Sequence, residues 1–202
     1  GARQSAAQSP AQAQAQTPAR AVAVTTQFGP DVDRLIAASP TLSSMLQRAQ
    51  RDGWTIVSDG SRPGSFADRQ RKQINIDPAH LRDPMRVANT LAHELGHATT
   101  PLERQIGFGD RTREQYARAN AMRHLRNEAE AVIAELRVRD ELAERGQRMR
   151  INGVTARERI ALWERHKRGE ISREQLVQAI AELFLRERPS TDPNSDYLQW
   201  YS

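Results

Sequence analysis

The chain has 202 residues, 38% of them hydrophobic, enough for one domain with a buried core. Nothing in it approaches the about 18 consecutive apolar residues of a membrane-crossing helix, and the absence of cysteine excludes disulfides and thiolate metal ligands. The net charge of +5 rests mainly on arginines that alternate with glutamates, as in Arg157-Glu158-Arg159, without interleaved aromatics. That pattern is read as solvated helix faces, and no nucleic-acid partner is expected.

Residues 1–26 are dominated by Ala, Gln, Ser and Pro and hold little apolar bulk, which predicts a disordered linker. Such a linker, together with a start at Gly1, leads us to expect an upstream delivery domain or a cleaved export signal. Residues 27–145 form the expected catalytic core. Pro30 to Ala38 predicts a short helix with Val32, Leu35 and Ile36 apolar. Thr41 is the expected cap of a second helix that turns Leu42, Met45, Leu46 and Ala49 inwards and stops near Gly53. Trp54 to Ser58 is a strand candidate, Asp59 to Gly64 a turn-rich loop, and Gln73 to Asp77 alternates as a half-buried strand does.

The sharpest signal follows. Asp83 and Pro84 suit the cap and first position of a helix whose stripe is Val87, Ala88, Leu91, Leu95 and Ala98. On that helix stands His93-Glu94-Leu95-Gly96-His97. Two imidazoles four residues apart point the same way and can reach one ion. Three protein ligands would hold Zn²⁺ and leave its fourth position to water, with Glu94 placed as the base. Pro101, Gly107 and Gly109 then keep the chain out of helix.

Residues 112–145 predict a long helix. At about 100° per residue, Leu125, Ala129, Val132, Ile133 and Leu136 share one face. Glu128 lies on the shoulder of that face, and an inward carboxylate needs a cation; it is the expected third metal ligand. Glu135, two turns along, is an alternative as ligand or as partner of a ligand. Glu130, on the opposite charged side with Arg123, Arg126 and Arg137, and His124 are further alternatives. His80 and His166 lack partners at ligand spacing.

Residues 146–202 are expected to form helices and a tail packed on the core. Thr155-Ala-Arg-Glu and Ser172-Arg-Glu-Gln predict capping-box starts. Leu162 and Trp163 mark one helix; Leu176, Ile180, Leu183 and Phe184 give the other its stripe. Tyr197, Trp200 and Tyr201 are expected to anchor the tail, and Tyr116, Tyr197 or Tyr201 could donate to a reaction oxyanion.

His93 to His97 with Asn127-Glu128 resembles a gluzincin, the class of zinc metallopeptidases whose third ligand is a glutamate on a later helix. The resemblance implies a zincin-like α+β domain: a small, partly antiparallel sheet, an active-site helix and additional C-terminal helices. It also implies a protein or peptide substrate laid along an edge strand, for which Ile74 to Asp77 is the candidate. The Asp that thermolysin-like enzymes carry four residues beyond the ligand glutamate is Val132 here, so support for the zinc histidine must come from elsewhere. Glu-Ala-Glu-Ala at 128–131 also resembles the ImmA/IrrE-type proteases, in whose alignment Glu130 would be the ligand. The order of parts is similar to metallopeptidase toxin domains of bacterial secreted effectors, including type VI ones. That implies delivery to a periplasm or host cytosol and a cognate immunity protein. An intracellular regulatory protease and a non-enzymatic binding module with a vestigial metal site are the alternatives.

Overall fold

The computed structural model describes residues 24–187. Within them the chain forms six α-helices and one three-stranded sheet. Helices α1 (Pro30–Ala38) and α2 (Pro40–Arg51) are separated by Ser39 alone. Ser39, not Thr41, caps α2: its hydroxyl accepts from the Leu42 amide, because Pro40 already occupies the first helical position. Thr41 instead gives both its amide (2.9 Å) and its hydroxyl (2.5 Å) to Glu141.

Strands β1 (Thr55–Val57), β2 (Phe66–Asp68) and β3 (Gln73–Asn75) are ordered β1-β3-β2. β3 pairs parallel with β1 and antiparallel with β2. The strand beginning at Gln73 is therefore central, and its Ile74 is fully buried. This corrects the edge-strand expectation for Ile74 to Asp77: β2, three residues too short to show alternation in sequence, takes the edge.

A 3₁₀ turn, Pro78–His80, leads into α3 (Pro84–Thr99). Asp83 caps α3 as its sequence implies, accepting from Met85 and Arg86 amides at 3.0 and 3.2 Å. After an irregular stretch, Thr112 opens α4 (Arg113–Ala143) through a capping box with Gln115. Helices α5 (Ala156–Lys167) and α6 (Arg173–Arg186) follow. Ser172 and Gln175 form the expected capping box on α6. Thr155 precedes α5 but does not cap it, because its hydroxyl is taken by Glu187.

Two apolar cores share α4. The first gathers Ile36, Leu42, Ile74, Leu91 and Leu95 with Val138 and Leu142 from the end of α4. The second joins Leu125, Val132, Ile133 and Leu136 of α4 to Trp163, Leu176, Ile180 and Phe184. The α4 stripe read from the sequence thus faces the C-terminal helices. Helices α3 and α4 cross closely at Gly96. A Cβ there would lie 2.7 Å from the Cα of Ala131 and 3.2 Å from the Ala134 methyl. Glycine opposite two alanines brings the histidine helix against the glutamate helix.

Candidate metal centre

Because Gly96 sits between His93 and His97 on the same two turns, the close crossing carries both imidazoles to α4. His93 Nε2 and His97 Nε2 are 3.1 Å apart. The Glu128 carboxylate spans them, 3.5 Å from the first nitrogen and 3.4 Å from the second. These three residues form a group that could hold a metal ion.

The outer partners fix which ring atoms face the group. Glu135 Oε1 accepts from His93 Nδ1 at 2.5 Å, and Asn127 Oδ1 accepts from His97 Nδ1 at 2.7 Å. The Asn127 amide is oriented by a second donor, Arg69, at 3.0 Å on the same oxygen. With both Nδ1 atoms donating outwards, the two Nε2 lone pairs and two carboxylate oxygens converge on one point. Such acceptors repel one another unless a cation or proton lies among them.

The titration behaviour agrees. Burial alone would make His93 less basic, but its contacts with Glu128 and Glu135 outweigh burial and hold the ring well above the ordinary histidine value. Burial likewise opposes ionisation of Glu128, yet hydrogen bonds to His93 and His97 hold its carboxyl far below the usual range. The same field that favours a proton here favours any other cation.

Glu94 points into the same 310 Å³ cavity as His93, His97 and Glu128, and is only 6% exposed. Burial pushes its carboxyl up, against the pull of His93 and His97. Ser65, just before β2, and Phe66 and Ala67 of β2 also line this cavity, as does Arg69. Arg69 also donates to the Thr100 carbonyl at 3.1 Å, tying the end of β2 to the end of α3.

The other candidates separate from the group. Glu130 is ion-paired with Arg173 on the far side of α4, so it does not join the histidines. Glu135 is a partner of His93, not a member of the converging set. It lies seven residues beyond Glu128, where helical phase returns to the same stripe, and supplies the support absent at Val132. The ring nitrogen Nε2 of His124 faces Arg123 at 2.9 Å. His80 Nδ1 meets Thr90 Oγ1 at 3.1 Å, and His166 Nδ1 meets the Ile171 carbonyl at 3.0 Å. The Tyr116 ring meets Phe108 at a tilt and its hydroxyl accepts from Gln105, so its hydrogen-bonding is turned to the irregular stretch before α4. Tyr197, Trp200 and Tyr201 lie outside the described residues, as does most of the 1–26 segment.

The sequence did not single out β2 or Arg69. A run of three residues behind a Gly/Pro-rich loop carries no periodicity, and an arginine among 30 basic residues carries no mark of its own. Comparison with known proteins adds no counterpart: no protein-family model matches the chain, and neither a curated protein nor a solved structure does.

Proposed function

We propose that this chain is a zinc-dependent peptidase, with His93, His97 and Glu128 as zinc ligands. The observation that carries this reading is the spacing of the three donors. Tetrahedral Zn²⁺ with bonds of about 2.0–2.1 Å needs ligand atoms about 3.3–3.4 Å apart; the two Nε2 atoms are 3.1 Å apart, and the Glu128 carboxylate places one oxygen 3.5 Å from His93 Nε2 and the other 3.4 Å from His97 Nε2. Two neutral imidazoles with outward Nδ1–H donors and one ionised carboxylate are also the donor set this ion prefers. Glutamate as third ligand supports a gluzincin-like, zincin-type assignment.

Bound there, Zn²⁺ supplies a Lewis acid that polarises a carbonyl and lowers the pKa of water towards about 7. The residues around it do the rest. Glu94, buried and lining the cavity, accepts the proton of the attacking water and passes it to the departing amine nitrogen. A carboxyl raised by burial suits both directions of that transfer. The outer edge of β2, which among the described residues pairs only with β3, offers backbone groups to an extended peptide. Glu135 and Asn127 hold the imidazoles in the ligand tautomer. Following the resemblance of the histidine motif and the Asn-Glu pair, we place the chain among secreted effector metallopeptidase domains, delivered into a target cell.

The test is zinc-loaded protein incubated with a proteome-derived peptide library, with new termini read by mass spectrometry. Glu94→Gln should keep one zinc per chain and lose about 10²–10⁴-fold in rate. Equal cleavage by this variant contradicts the role of Glu94. A zinc-loaded wild type that releases no new termini contradicts the peptidase reading and leaves the metal centre standing.

A further inference from the structure

Below the metal centre on the same helix lies a second, larger cavity of about 760 Å³. Arg86, Thr90, His93 and His97 recur at helical spacing, so one stripe of α3 runs from this cavity to the metal ligands. Arg86 and Thr90 line the cavity from α3, and Arg148 and Arg150 line it from the segment after α4. Between these two arginines Met149 is buried in the first core, which fixes the backbone that presents them. Asn89 pins the same segment by donating to the Arg150 carbonyl at 2.6 Å.

Among the described residues, none of the ion pairs involves Arg86, Arg148 or Arg150. Among the described residues lining the cavity the carboxylate is that of Asp83, which already accepts the Met85 and Arg86 amides as the cap of α3. His80 adds no negative charge; burial, and then Arg86, hold its ring towards the neutral form. Elsewhere some basic side chains are paired, as Arg126 is with Glu103 and Lys167 with Asp140; what distinguishes Arg86, Arg148 and Arg150 is that two distant segments bring them to one cavity.

We infer that this arginine-lined cavity is a binding site for the acidic side chains of a peptide. For what happens after binding, the inference rests on the peptidase reading: it names the substrate class as peptides with carboxylates near the scissile bond. Arg86 lies seven residues before His93, a rise of about 10 Å along the helix. An extended peptide covers that span in about three residues, so the preferred carboxylates fall two to four positions from the bond cleaved. Guanidinium groups meet carboxylates with paired, planar hydrogen bonds, which gives the cavity selectivity beyond simple charge.

The test uses the full 202-residue chain carrying Glu94→Gln, with fluorescein-labelled hexaglutamate as the probe. Binding is followed by anisotropy at an ionic strength where screening acts over about 8 Å. Combined Arg86→Gln, Arg148→Gln and Arg150→Gln should weaken binding at least tenfold. A control with the same loss of charge elsewhere, Arg51→Gln, Arg118→Gln and Arg157→Gln, should change it less than twofold. The single substitution Arg86→Gln, with a melting curve for each protein, separates loss of the site from loss of the fold. Equal weakening in both triple variants overturns the inference. So does an oligodeoxynucleotide of the same length that binds more tightly than hexaglutamate through the same three arginines. Arginine-dependent hexaglutamate binding, with no peptide cleaved by the zinc-loaded wild type, supports the site while defeating the peptidase reading. Cleavage with hexaglutamate binding indifferent to the three arginines does the reverse.

Discussion

The two apolar cores threaded by α4 surround different things. The C-terminal core, where Leu125 and Leu136 meet Trp163, Leu176 and Ile180, is held by packing, with polar groups at its margin. There, Trp163 Nε1 reaches Asp140 at 2.8 Å. The N-terminal core instead runs up to the metal centre, where Glu94 is 6% exposed and Glu135 8% exposed. Buried carboxylates are costly unless their hydrogen bonds are complete or a cation meets them. One face of α4 therefore contributes stability, and the other, over the same turns, holds Glu128 and Glu135 against the histidines in a fixed arrangement.

The largest separation between the C-terminal core and the metal centre should come from Ile180→Ala. This side chain is fully buried in the C-terminal core, and its truncation should cost about 2–5 kcal/mol. Denaturant unfolding reads the loss, while zinc affinity of the folded protein stays at the wild-type value. Loss of zinc binding by the folded variant would show that the C-terminal core and the metal centre are coupled.

Gly96→Ala attacks the junction itself. The added methyl meets backbone at 2.7 Å, so α3 and α4 must move apart, at about 1–3 kcal/mol. Zinc affinity should fall with stability here, unlike in Ile180→Ala. Calorimetric titration of both variants side by side checks the contrast.

A gentler change sharpens the chemical half alone. Glu135→Gln keeps the shape of the side chain but removes the charge that accepts from His93 Nδ1. It should weaken zinc binding about 10–100-fold and leave unfolding almost unchanged.

The smallest effect is expected at the rim, where Glu103 receives a two-pronged contact from Arg126, 2.7 and 2.5 Å long. That contact holds the Glu103 carboxyl below its ordinary value. A depressed native pKa means stability present above about pH 4.3, the unfolded value, and lost as pH falls through the lower native one. Glu103 is half exposed, so the pair contributes about 0.2–1 kcal/mol. Arg126→Met should flatten the acid limb of a stability–pH curve by that amount.

These contrasts also show what a sequence displays. The two histidines and Glu94 were legible because one helix fixes their relation. Glu128 was legible too, since helix phase places it inward where a carboxylate demands a partner. Glu135 was visible as an alternative, but whether it met zinc or histidine depended on how α3 and α4 cross. That crossing is set by Gly96 against Ala131, a contact between distant segments. The capping box at Ser172 and the cap at Asp83 were local and readable; Ser39 and Thr41 were exchanged because Glu141, a hundred residues away, claims the threonine. The sheet order depends on β2, whose three residues carry no periodic signal. Opposition of Arg86 to Arg148 and Arg150 likewise exists only after folding.

The central claim is that two imidazoles from α3 and one carboxylate from α4 grip a single zinc ion. X-ray absorption at the zinc edge of the loaded protein tests it most directly. The account predicts a first shell of nitrogen and oxygen at about 2.0–2.1 Å with outer scattering from two imidazole rings, reduced to one ring in His97→Ala. A shell of oxygen alone, or a spectrum unchanged by that substitution, would contradict it.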